Sequence, residues 1–143
     1  MQVVERSAIV AFTPAQMFAL VNDVARYPEF LPWCAAARVE RLSETSVNAA
    51  ITVARDPLRA EFTTHNTLVP DAEIAMHLTD GPFRHMEGLW RFAAIGGSGT
   101  RVNFRVEFEF KSRLMAVALN STFERMCSTL VDAFAQRAHA IYG

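Results

Sequence analysis

The sequence predicts an α+β fold in which a seven-stranded antiparallel sheet wraps around a long C-terminal helix, with two short helices after the first strand. Three observations carry this. Between Ala37 and Phe110 apolar and polar residues alternate with a period of two, interrupted at intervals by short turn-forming stretches. From Ser112 to Tyr142 the residues Met115, Leu119, Phe123, Met126, Leu130, Phe134, Ala138 and Ile141 recur at three- and four-residue steps, the apolar stripe of one amphipathic helix. The 143 residues form one domain by size, spanning 1–143, with enough chain to bury a core unaided.

Each element has a local reason. Val3 to Phe12 is rich in β-branched and apolar residues and reads as the first strand. A helix start follows: Thr13 can cap, Pro14 suits the first helical position, Gln16 can complete a capping box, and Phe12 can pack on Met17. That helix runs to about Asn22. Asp23 to Pro32 is a second short helical or turn segment, broken by Pro28 and Pro32, which push their predecessors out of the α region.

The strands expected next are Ala37 to Leu42, Val47 to Ala54, Leu58 to Leu68, Glu73 to Leu78, Phe83 to Ala94 and Thr100 to Phe110, joined by short connectors such as Asp80-Gly81-Pro82 and Gly96-Gly97-Ser98-Gly99. Short connectors make neighbours antiparallel. In the last strand Val102, Phe104, Val106, Phe108 and Phe110 share one face, and Arg101, Asn103, Arg105, Glu107 and Glu109 the other, so one side is buried and one is wet. The only element long enough to cover the apolar side is the terminal helix.

Extending that parity sets Met86, Trp90 and Phe92 inward, with Ile74, Met76 and Leu78 on the next strand and Ala60, Phe62 and Thr64 beyond, facing Met115, Leu119, Phe123 and Met126 of the helix. Two readings of this surface stay open. One is a filled core in which methionine plugs gaps and Gly88 marks a bulge. The other is a wall of flexible and small side chains that adapts to a lipophilic guest.

Composition excludes several functions. The net charge is -1 and Lys111 is the only lysine, which gives no footprint for DNA or broad nucleic-acid binding. Cys34 and Cys127 lack metal-ligand spacing and read as free thiols. Met1 to Arg6 lacks the order of a signal peptide, and no apolar run reaches membrane-spanning length, so a soluble cytoplasmic protein is expected. No nucleophile elbow is present, and the glycine-rich run joins two strands rather than opening a helix. Pairing of adjacent strands would line up His65, His77 and His85 in a row on the wet face, read as solvated histidines with no metal assigned. The carboxylates Glu61, Glu87, Glu107 and Glu109 belong to the same face, where they provide cross-strand pairing, and no catalytic residues are assigned.

Several segments carry a family likeness. Gln16-Met17-Phe18, Leu20 to Val24, Tyr27-Pro28-Glu29-Phe30-Leu31-Pro32-Trp33-Cys34, Phe62-Thr63-Thr64, Gly81-Pro82-Phe83-Arg84, Glu87 to Phe92 and Leu130 to Phe134 resemble the START-like (polyketide cyclase/dehydrase and lipid transport) superfamily. The likeness is to the branch holding coenzyme Q-binding proteins and the ribosome-association toxin RatA. It covers nearly the whole chain and implies a helix-grip fold with a lipophilic tunnel between sheet and helix. The implied function is to bind ubiquinone or a related polyprenyl or acyl lipid and pass it to a membrane-bound respiratory or biosynthetic complex. The ligand-contacting residues expected on this reading are Phe30 and Trp33 at the mouth, Phe62, Met76, Met86, Trp90, Phe104 and Phe108 on the sheet, and Met115, Leu119, Phe123 and Met126 on the helix. No cofactor other than the bound lipid is expected. A ribosomal subunit is the alternative partner, and an enzyme acting on an aromatic polyketide is the third reading.

Overall fold

The computed structural model describes residues 1–97 and 99–143; Ser98, part of the expected glycine-rich hairpin loop, lies outside the described residues. The chain runs β1 (Gln2–Val10), α1 (Pro14–Asn22), a 3-10 helix (Val24–Glu29), β2 (Cys34–Arg41), β3 (Ser46–Arg55), β4 (Leu58–Val69), β5 (Glu73–Asp80), β6 (Phe83–Ile95), β7 (Gly99–Phe110), α2 (Arg113–Ser128) and α3 (Leu130–Tyr142). The seven strands form one antiparallel sheet in the order β1-β7-β6-β5-β4-β3-β2. Strands β2 to β7 are a meander, whereas β1 crosses to the far edge and pairs along β7 from Gln2 opposite Phe108 to Val10 opposite Thr100.

The helix start at Thr13 forms as its sequence dictates. Thr13 Oγ1 accepts from the Gln16 backbone N–H (3.2 Å), and Gln16 Oε1 accepts from the Thr13 N–H (2.9 Å), closing the capping box with Pro14 at the first position. Replacing Thr13 with alanine is expected to cost about 1 kcal/mol. A lower urea midpoint at unchanged slope would check it.

Two expectations about helices need correction. Pro28 does not break the second segment: the chain continues through it as a 3-10 helix, which buries Val24 and Tyr27. The C-terminal helix is not one rod. It is interrupted at Thr129, where Thr129 Oγ1 donates to the Met126 carbonyl (2.9 Å) and Ser128 Oγ to the Arg125 carbonyl (3.0 Å). Such hydroxyls compete for the carbonyls of the preceding turn and bend helices.

The inner face of the sheet carries Val102, Phe104, Val106, Phe108 and Phe110 from β7 and Met86, Trp90 and Phe92 from β6, all buried. One end of the core is an aromatic cluster. Phe83 stacks on Phe110 (4.6 Å between ring centroids), and Phe123 of α2 meets Phe83 (4.9 Å) and Phe108 (4.7 Å). The other end gathers Tyr27, Phe30 and Trp90 around Phe134 of α3, each at 5.3 Å. Edge-to-face pairs of this kind add to what burial alone contributes.

Candidate functional site

Between these two aromatic ends lies a cavity of about 80 Å³. Its sheet-side wall includes Ala49, Ile51, Phe62, Met76, Met86 and Phe104, and its helical wall Phe123, Met126, Cys127, Leu130 and Phe134, with Tyr27 and Trp33 contributed by the segment between α1 and β2. Small residues on the sheet shape this wall. Ala49 lies opposite Thr64, and Gly88 lies opposite Met76, whose methyl group folds over the place a side chain at Gly88 would occupy. Among the described residues, none that lines the cavity is an aspartate, glutamate, histidine, lysine or arginine. The wall offers few polar groups. Tyr27 has already donated its hydroxyl to the Val21 carbonyl. Thr64 and Asn66 sit side by side on β4, 5% and 2% exposed, with Thr64 Oγ1 donating to Asn66 Oδ1 at 2.7 Å.

Burial dominates the proton affinities here. It pushes the Tyr27 hydroxyl far above its ordinary value, with Cys34 and Asp23 nearby adding to the effect. It does the same to the Cys127 thiol, helped by Glu124. The free cysteines are therefore held as thiols, and Cys34 is shifted in the same direction by its burial. Both pKa values lie higher in the folded chain than in the unfolded one. The stability these groups contribute is intact up to about pH 8, where an unfolded thiol is still protonated, and falls as pH rises through the ordinary thiol pKa and beyond. Urea midpoints should thus drop as the pH is raised from about 8 to about 10, across the ordinary thiol range, and Cys127→Ala should flatten part of that drop.

The expected ligand-contacting residues fall into two groups. Trp33, Phe62, Met76, Met86, Trp90, Phe104, Phe123 and Met126 line the cavity together. Phe30, Phe108, Met115 and Leu119 do not. Phe30 packs behind Tyr27 and Phe134 under the Arg137 guanidinium, which lies 4.8 Å from its ring centroid and is tied to Glu29 at 2.7 Å. It lines a separate groove with Leu20, Asp23, Arg26, Arg137, Ile141 and Tyr142. Phe108 belongs to the aromatic cluster at the far end, and Met115 and Leu119 pack half-buried against the core near the start of α2. Outside the expected set, Tyr27, Ala49, Ile51, Thr64, Asn66, Val106, Cys127, Leu130 and Phe134 also line the cavity. Asn66 could have been found, since it continues the inward series Phe62, Thr64 and carries an amide, which a filled apolar core would not place there.

The histidine row on the convex face is corrected. His65 does face His77, but His77 faces Glu87 rather than His85. The β5–β6 hairpin pairs two residues further along β6 than the expected register, so His85 lies beyond the last β5–β6 pair and stands opposite Glu109 of β7 instead. The imidazoles therefore meet carboxylates and an amide: His77 Nδ1 lies 3.1 Å from Glu87, His85 Nε2 3.7 Å from Glu107, and His65 Nδ1 3.0 Å from Asn48 Oδ1. His85, Glu87 and Glu107 bring their side-chain heteroatoms within 4.8 Å of one another, with Arg105 3.4 Å from Glu107. Other arginines of this face are paired too, Arg38 with Glu61 (3.0 Å), Arg91 with Glu73 (3.4 Å) and Arg84 with Glu109 (3.5 Å). Among the described residues no helix is long and apolar enough to cross a membrane.

A curled antiparallel sheet gripping C-terminal helices around an apolar cavity defines a helix-grip protein. Residues 10–135 match the family model described as "Polyketide cyclase / dehydrase and lipid transport", and the chain belongs to that family. It is 43% identical over 140 residues to the ribosome association toxin RatA of Pseudomonas aeruginosa, a match covering 98% of this chain and 97% of that one. It is 31% identical over 142 residues to the mitochondrial coenzyme Q-binding protein COQ10 homolog B of Xenopus laevis, covering 96% of this chain and 58% of that protein. Among solved structures, the Zhui aromatase/cyclase of a Streptomyces species superposes with a TM-score of 0.86 at 18% identity, covering 96% of this chain and 93% of that one, a likeness of fold.

Proposed function

We propose that the chain binds a lipophilic small molecule, ubiquinone or a related polyprenyl or acyl lipid, in the cavity between sheet and helices and hands it on. The observation that carries this reading is the cavity wall itself, aromatic, methionine-rich and free of charged side chains. Burial at about 25 cal/mol per Å² gives such a wall useful affinity without any reacting group. An acid–base mechanism would need a sheltered carboxylate or imidazole, and the lining residues supply none.

At about 80 Å³ the cavity exceeds what one water needs and falls short of the whole of a long-chain guest. Uptake therefore requires the wall to open. The helix interruption at Thr129 lies between two wall-forming runs, Phe123 to Cys127 on α2 and Leu130 to Phe134 on α3, which makes it the natural hinge. Met76, Met86 and Met126 supply side chains that repack at low cost. Leu114 and Val117, 80% and 81% exposed beside Lys111 and Arg113, offer an apolar and basic contact for the membrane or respiratory complex that would receive the guest.

Mass spectrometry of an organic extract of the natively purified protein tests the reading. A stoichiometric quinone or polyprenyl or acyl lipid is expected. Protein that carries no such molecule and also fails to take up added quinone would refute it.

A second reading has one observation in its favour, the 43% identity to a ribosome association toxin over nearly the full length of both chains. On this reading the chain associates with a ribosomal subunit. The arginines of the convex face are largely committed to carboxylates, so an RNA contact there would be weak in phosphate neutralisation. Co-sedimentation with ribosomal subunits that weakens with salt would support this reading, and none at low salt would dismiss it.

A further inference from the structure

Buried amides are kept in apolar walls only where something meets their hydrogen-bonding groups. Asn66 is 2% exposed in a wall that is otherwise nearly all hydrocarbon and aromatic. Among the described residues its amide makes one hydrogen bond, the one that Oδ1 accepts from Thr64 Oγ1 at 2.7 Å. In this arrangement Oδ1 is engaged by Thr64, and Nδ2, with its two N–H donors, is left for whatever occupies the cavity. Asn66 stands between Val47 on β3 and Met76 on β5, with Gly88 beyond Met76. The donor thus sits on the sheet floor, across from the helical wall that must move for a guest to enter.

We propose that Asn66 Nδ2 is the recognition point for the guest's head group, a neutral hydrogen-bond acceptor such as a quinone carbonyl, and that Thr64 is its positioning residue. This rests on the binding reading above and narrows its ligand class. A carboxylate or phosphate head group would enter a wall with no lysine, arginine or histidine to compensate its charge, whereas a carbonyl oxygen needs one donor and finds it. The apolar tail then lies along the methionines and aromatic rings.

The experiment compares decyl-benzoquinone, decylbenzene and decanoate for binding to the wild-type chain, to Asn66→Leu and to Thr64→Val. Wild type should prefer the quinone to decylbenzene by about three- to tenfold, the range one net hydrogen bond supplies, and should bind decanoate least. Asn66→Leu should erase the preference while retaining decylbenzene, which also shows that the variant is folded. Thr64→Val should reduce the preference in part. The side-chain amide signals of Asn66 should shift on adding the quinone and stay in place with decylbenzene, a response that a purely structural asparagine would not give. Equal affinity for quinone and decylbenzene in wild type, or an unchanged preference in Asn66→Leu, overturns the assignment while leaving the lipophilic cavity standing. Failure of all three compounds to bind wild type overturns the binding reading and this inference with it.

Discussion

Cutting Phe108 back to alanine is expected to destabilise the fold by about 3–5 kcal/mol, the range for a fully buried phenylalanine whose neighbours cannot close the gap. Phe108 is 0% exposed, and its ring meets Phe83 (6.1 Å), Phe110 (5.9 Å) and Phe123 (4.7 Å), so the loss is felt on β6, β7 and α2 together. A domain of this size has about 5–15 kcal/mol in total, so a large part of the margin is at stake. Urea unfolding would show it as a fall in midpoint. Because Phe108 lies outside the cavity wall, guest affinity in the folded fraction should be nearly unchanged, which separates a packing role from a binding one. A cost under about 1 kcal/mol would mean that the aromatic cluster collapses around the gap.

The second large effect is on binding. Ala49→Leu should reduce guest affinity at least tenfold, equivalent to about 1.4 kcal/mol, while the protein stays folded. Ala49 is 3% exposed and sits opposite Thr64 on the cavity floor, so three further carbon atoms have nowhere to go except into the void. Filling that space costs the fold about 1–3 kcal/mol at most, because the new side chain occupies a cavity instead of displacing packed atoms. Undiminished uptake of a quinone by folded Ala49→Leu protein would place the guest elsewhere.

What was legible in the sequence was whatever depends on pattern. The alternation of β7 names its inner and outer residues one by one, and the Thr13–Gln16 spacing announces α1 before any packing is considered. The inward set Phe62, Met76, Met86, Trp90 and Phe104 follows from parity carried across hairpins, and these side chains do converge. What was not legible depends on small shifts or on volume. The register of the β5–β6 hairpin sets His77 against Glu87, two residues along from the expected His85, because a slip at one turn moves every partner on the strand. The interruption at Thr129 looks like two ordinary polar positions on an amphipathic stripe until their hydroxyls are seen to take the carbonyls of the preceding turn. Phe30 is drawn away from the cavity by Arg137, more than a hundred residues later in the chain, a pairing that no local spacing reveals. The void itself is a difference between the space enclosed and the side chains that fill it, and periodicity carries no measure of that difference.

Both tryptophans of the chain, Trp33 and Trp90, line the cavity, which provides a direct reporter of its occupancy. The most direct measurement is a titration of the purified, delipidated protein with decyl-benzoquinone, following tryptophan fluorescence, with Ala49→Leu as the filled-cavity control. The account predicts saturable quenching with one quinone per chain, strongly weakened in Ala49→Leu. Quenching that rises linearly without saturation, or that is identical in the two proteins, would contradict the claim that a guest enters between the sheet and the helices.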